Sequence, residues 1–209
     1  TGEVATYRVG VGCKPVDTDF KEGESAALAK GWSFNTKNDN AAFVDAGLTI
    51  TTERGAFSNP DAKPKNVFMM SAMGDWVAQT QVKFDPVPSA SNQQGGLIMY
   101  DDDNNYIRFV YERPTSGSSN VLRVYNVVNG TQTQSNSATL ASLTDLYFQI
   151  VKEGDSYTFM YSQDGVNWTT FGTRITAQYA LPQIGLYATN GDAEAAPVSV
   201  TYEKLSVYE

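Results

Sequence analysis

The chain has 209 residues, a net charge of −8, no histidine and a single cysteine, Cys13. Those numbers exclude His-dependent triads, imidazole zinc sites and an intramolecular disulfide. They also argue against nucleic acid and anionic membranes, which need clustered Lys and Arg. No apolar run approaches the ~20 residues of a membrane helix. The near absence of cysteine, with an acidic, Asn/Ser/Thr/Gly-rich composition, suits a bacterial secreted or cell-surface protein at least as well as a cytosolic one. The chain starts at Thr1 without a methionine and reads as an excised mature domain.

In chain order, strands are predicted first at 4–9 and then, after a short helix at 24–30 (Glu-Ser-Ala-Ala-Leu-Ala-Lys), at 48–52 and 66–70. The segment 75–84 places Trp76, Ala78, Val82 and Phe84 on one face and Gln79, Gln81 and Lys83 on the other, the pattern of a half-buried antiparallel strand. A strand at 95–100 follows. Over 105–112, Ile107, Phe109 and Tyr111 alternate with Tyr106, Arg108 and Glu112. Further strands are predicted at 121–128, 146–150, 184–188 and 198–208.

Between them, 157–168 reads as strand, Asp164-Gly165 turn and return strand opening on Trp168. Glycine supplies the positive φ that such a turn requires. Ten or more short strands separated by turn residues specify an all-β, two-sheet antiparallel sandwich in one domain. Three long irregular segments, 10–40, 53–65 and 189–197, are expected to carry function or to cover a sheet edge.

Several segments recur in a familiar order. They include Gly31-Trp32-Ser33-Phe34, the stretch Gln94-Gly95-Gly96-Leu97-Ile98-Met99-Tyr100-Asp101-Asp102-Asp103-Asn104-Asn105-Tyr106-Ile107, the Tyr161–Trp168 hairpin and Ile184-Gly185-Leu186-Tyr187-Ala188. The chain resembles the concanavalin A-like (laminin G-like) modules attached to bacterial glycoside hydrolases, nearest to the C-terminal domains of β-xylosidases and α-arabinofuranosidases. The resemblance covers about residues 17 to 208; residues 1–16 are a possible extension or module junction. It implies a jelly-roll of two sheets serving as a non-catalytic carbohydrate-binding or domain-supporting module. The implied partners are a polysaccharide and a catalytic domain in the same polypeptide. The alternatives are a structural or adhesive surface domain without a glycan ligand and a hydrolase or lyase on the same fold.

A retaining glycosidase needs two carboxylates about 5 Å apart, and no strand carries an alternating acidic pair, so binding is favoured over catalysis. Sugar recognition combines stacking on aromatic rings with hydrogen bonds from polar groups. Trp76 belongs to an apolar strand phase, and Trp168 is expected to pack over its own hairpin. Trp32, in a long loop near Asn35, is a candidate for exposure. Tyr106 and Arg108 would share a sheet face with Tyr100 and Tyr187 if those strands are neighbours, with Asn190 adding hydrogen bonds at the rim.

The acidic run Asp101-Asp102-Asp103 reads either as a calcium chelator or as a solvated hairpin turn, and the turn is preferred. A structural calcium would instead use Asp17 and Asp19 near the first strand with Asp192 or Glu203 near the last. Cys13 reads as a small buried hydrophobe.

Overall fold

A computed structural model describes residues 16–208, and within them the side chains of Gln134 and Ser135 are not described; the predicted strand at 4–9 and Cys13 lie outside this range. Period-two alternation is realised in sixteen strands: β1 (Val16–Asp19), β2 (Ser33–Phe34), β3 (Ala41–Val44), β4 (Gly47–Thr51), β5 (Phe68–Ser71), β6 (Trp76–Asp85), β7 (Gln94–Asp102), β8 (Asn105–Glu112), β9 (Val121–Val128), β10 (Thr131–Thr139), β11 (Asp145–Glu153), β12 (Ser156–Ser162), β13 (Thr169–Thr170), β14 (Ile175–Thr176), β15 (Gln183–Thr189) and β16 (Ser199–Tyr208). A short helix α1 (Glu24–Ala29) stands where helical composition predicts one.

The strands form two antiparallel sheets. The larger runs β13-β12-β11-β6-β16-β4-β3, with β1 beside β16 and β14 beside β12; the smaller runs β10-β9-β8-β7-β15-β5-β2. Their inner faces meet in the core, where Phe109 of the smaller sheet packs edge-on against Phe148 of the larger at 4.8 Å. Phe84 and Tyr111 meet in the same way at 5.4 Å.

The two layers also approach at β7. A Cβ on Gly95 would lie 2.8 Å from the Val200 side chain, so only glycine fits there. Beside it the buried Tyr202 hydroxyl spans the layers, accepting from the Gly96 amide at 3.0 Å and donating to the Tyr187 carbonyl at 2.7 Å. That contact joins the larger sheet to two strands of the smaller one and satisfies polar atoms that burial would otherwise penalise.

The predicted Asp-Gly turn is present. Gly165 takes φ +74°, and Asp164 accepts from the Val166 and Asn167 amides, each at 2.8 Å. The Asp101–Asp103 run closes β7 and enters the hairpin turn at 103–104. Asp101 accepts from the Leu181 amide, Asp102 from the Asn104 amide, and Asp103 from the Tyr100 hydroxyl.

Trp32 corrects the sequence-based expectation of exposure. It is buried, stacked on Phe68 at 5.0 Å and edge-on to Phe20 at 5.3 Å, with its indole N–H donating to Thr18 Oγ1 at 2.9 Å. The loop folds its aromatic ring inward because Phe20, Phe34, Phe43 and Phe68 offer an apolar cluster there.

Candidate functional site

The register of the smaller sheet decides which side chains share its outward face. Tyr106 stands opposite Tyr100, and Arg108 opposite Ile98 on one side and Tyr125 on the other. Tyr187 stands opposite Gly96. Side chains alternate along a strand, so Tyr100, Tyr106, Arg108 and Tyr187 do lie on one face, as their strand phases predict.

That face is not an open platform. The segment 53–65 crosses it and seats the Phe57 ring 4.7 Å from Tyr106, 5.6 Å from Tyr100 and 5.8 Å from Tyr187. Tyr106 and Tyr187 are buried beneath it, and Tyr100 is half-buried. The segment is tied down at several points. Gly55 bridges to Gly191, Asn190 N–H donates to the Glu53 carbonyl at 2.8 Å, and Lys63 pairs with Asp103 at 3.1 Å while donating to the Phe57 carbonyl. Burial raises the Tyr106 phenol and pushes that of Tyr187 up to about 12, so both stay neutral at physiological pH.

Beside the covered tyrosines lies a polar cluster centred on Arg108. Its Nη1 donates to Gln94 Oε1 at 3.0 Å and to the Tyr187 hydroxyl at 3.3 Å, and its Nη2 donates to Gln132 Oε1 at 3.1 Å. The guanidinium sits 4.4 Å from the centroid of the Tyr125 ring, a cation–π arrangement. Next to it, Glu112 accepts from Arg123 Nη1 at 2.5 Å and from the Tyr125 hydroxyl at 2.9 Å. Burial and the Glu112 charge together raise the Tyr125 phenol. Glu112 is buried, and both of these bonds fall on its Oε1.

The remaining predicted residues are elsewhere. Asn35 spends both ends of its amide on the 64–67 segment, donating to the Pro64 carbonyl at 2.7 Å and accepting from Val67 N–H at 3.0 Å. Asn190 is buried rather than at a rim; its Nδ2 donates to the Ala195 carbonyl, and its Oδ1 has no hydrogen-bond partner among the described residues.

The carboxylates considered for calcium do not converge. Asp17 pairs with Ser206 and Asp19 with Lys204, at one end of β16. Asp192 stands beyond the other end, accepting from Asn59 Nδ2 at 2.6 Å and lying 3.9 Å from Arg54. At ~3.3 Å per residue, the stretch of β16 from Ser199 to their partners Lys204 and Ser206 separates Asp192 from Asp19 and Asp17 by roughly 17–23 Å. Glu203 is bound by Lys21 at 2.6 Å, which holds its carboxyl below the usual range. Among the described residues no three acidic, His or Cys side chains gather into a metal site.

Gln94, Gln132, Tyr125, Arg123 and Phe57 are the members of this site that strand patterns left unnamed. Arg123 and Tyr125 could have been found, because they occupy the phase opposite Leu122 and Val124 in the predicted strand at 121–128. Gln132 lies on β10, Thr-Gln-Thr-Gln-Ser-Asn-Ser-Ala-Thr, which is polar on both phases and carries no strand signal.

Comparison with known proteins adds the following. No curated protein matches the chain. Among solved structures, the GH43 protein BlXynB from Bacillus licheniformis superposes with a TM-score of 0.78 at 20% identity over 92% of this chain and 39% of that one. The Bacteroides ovatus xyloglucan PUL GH43B gives 0.75 at 18% identity, covering 99% and 40%. A xylan β-1,4-xylosidase from Bacillus halodurans C-125 gives 0.75 at 10% identity, covering 100% and 41%. The chain therefore spans about two-fifths of each of these proteins, and at such identities the likeness is one of fold. A family model, the β-xylosidase C-terminal concanavalin A-like domain, matches residues 18–202. With the two-sheet antiparallel architecture, that match shows that the chain belongs to the family of β-xylosidase C-terminal concanavalin A-like domains.

Proposed function

We propose that the chain is a non-catalytic accessory module of a GH43-type glycoside hydrolase acting outside the cell, and that it contacts polysaccharide through the Arg108 cluster. The observation that carries the reading is the cluster itself. A guanidinium, two side-chain amides and a tyrosine ring converge on an outward sheet face, the combination of donors, acceptors and aromatic surface that sugars require. Family membership supports the accessory role. The structural relatives, among them a xylan β-1,4-xylosidase and a GH43 protein named for xyloglucan, make plant cell-wall polymers the first to try.

Affinity electrophoresis of the chain in gels containing xylans or xyloglucan tests this. Retardation by at least one polymer is expected, with Arg108→Ala losing it while the melting temperature stays within a few degrees. No retardation by any of them overturns the reading. Release of reducing sugar by the chain overturns the non-catalytic role.

A second reading, a structural domain without a glycan ligand, draws on Phe57, which fills the aromatic part of the face from within the chain. It predicts the absence of retardation.

A further inference from the structure

The charge balance of the Arg108 cluster is incomplete. Glu112 and Arg123 neutralise one another at 2.5 Å, leaving Arg108 as a half-buried cation with no carboxylate within ion-pair distance among the described residues. Its neighbours are neutral: two glutamine amides and three tyrosine rings. Cations taken out of water are ordinarily paired, because uncompensated burial is costly.

The donor count points the same way. A guanidinium has five N–H donors. Three are used, on Gln94, Tyr187 and Gln132, so the Nε donor and one Nη2 donor remain. Nε is buried without an acceptor among the described residues. Nη2 faces β10, the outermost strand of its sheet, where Gln132 is exposed and free to give way to a stronger acceptor. A carboxylate oxygen is such an acceptor, since charge-assisted hydrogen bonds to Arg are roughly twice as strong as neutral ones.

We infer that Arg108 receives the carboxylate of a uronic acid residue, so that the ligand of this face is an acidic rather than a neutral polysaccharide. The inference rests on the glycan-binding reading above and goes beyond it by assigning the sugar class. The carboxylate accepts from Nη2 in place of Gln132, and its single negative charge matches the single excess positive charge of the cluster. The protein as a whole is acidic. Recognition therefore depends on this local charge and weakens as added salt screens it beyond about 8–10 Å.

The test compares binding of the chain to a uronate-bearing xylan with binding to the same xylan after reduction of its carboxyl groups, by titration calorimetry at low salt. The expected result is a preference for the uronate form on the order of tenfold, the contribution of one charge-assisted hydrogen bond. That preference should disappear in Arg108→Gln and survive in part in Arg108→Lys, which keeps the charge and loses the fork. Equal binding of both polymers by the unmodified chain overturns the uronate assignment and leaves the glycan-binding reading standing. A preference that persists in Arg108→Gln also overturns the assignment. Binding to neither polymer removes the glycan reading and this inference together. The polymer comparison on the unmodified chain needs no variant, so the outcome does not depend on a substitution folding.

Discussion

Strand β8 has two buried faces built on different principles. Inward, Ile107, Phe109 and Tyr111 meet the larger sheet as close-packed apolar surface. The one polar atom there, the Tyr111 hydroxyl, is fully satisfied: it donates to the Ala141 carbonyl and accepts from Asn120 and Leu143 N–H. Outward, Tyr106, Arg108 and Glu112 lie in a network of charged and amide groups, partly roofed by Phe57. The inward face sits between two sheets and cannot relax independently of the fold. The outward face is covered by a loop and by side chains at an edge strand, so its cover can change while the sandwich stays intact. Similar burial thus supports two different roles, one holding the fold and one presenting chemistry.

The largest expected effect tests the inward face. Phe109 is fully buried and packs against Phe148, Phe159 and Phe171 from the opposite layer. Phe109→Ala should cost about 3–5 kcal/mol of unfolding free energy, through lost transfer energy and the cavity left behind. Denaturant titration should show a lower midpoint in a single transition. A loss below about 1 kcal/mol would mean that the two layers do not depend on this contact.

Phe57→Ala tests the outward face and should cost less, about 2 kcal/mol, because the loop can settle over the vacated space and the transfer term stands nearly alone. Its mark is local. Protease cleavage within 53–65 should accelerate well before global unfolding does, since the ring lying on Tyr106, Tyr100 and Tyr187 is the main apolar hold on that segment. Uniform destabilisation without faster cleavage in the loop would erase the distinction between the two faces.

The same contrast explains what was legible in the sequence. Alternation located β8 and β9 at 105–112 and 121–128, because each has an unbroken apolar phase facing the core. It also placed Tyr106 and Arg108 on the opposite phase from Phe109. Alternation reports orientation relative to the core, however, and says nothing about what lies on the other side. The cover supplied by Phe57 arises from a loop 49 residues before Tyr106 in the chain, and no local pattern encodes it. Trp32 misled for a related reason: its polar sequence neighbours suggested exposure, while the rings packed against it are Phe68 of β5 and Phe20 in the turn after β1. Strand β10 escaped notice because its pairing with β9 is a backbone matter, with no apolar phase of its own to betray it.

The smallest effect belongs to a position on neither face, and it calibrates the other two. Asp164 is exposed and accepts from the Asn167 amide first, then from Asn167 Nδ2, the Val166 amide and the Ser162 hydroxyl. Those donors hold its carboxyl well below the ordinary carboxylate range. A carboxyl depressed by folding contributes stability in full above its unfolded value, about 3.9, and loses it as pH falls toward the folded value. Asp164→Ala should therefore lower the melting temperature slightly at pH 7, and its gap to the unmodified chain should narrow as pH drops below about 4. Asp164→Asn keeps a neutral acceptor for the turn amides, so it should retain part of the stability and lose the pH dependence. Phe109→Ala removes no titrating group, and its deficit should stay constant through the same range. A gap for Asp164→Ala that is equally constant would show that the turn is held by Gly165 geometry alone, with no contribution from the charge.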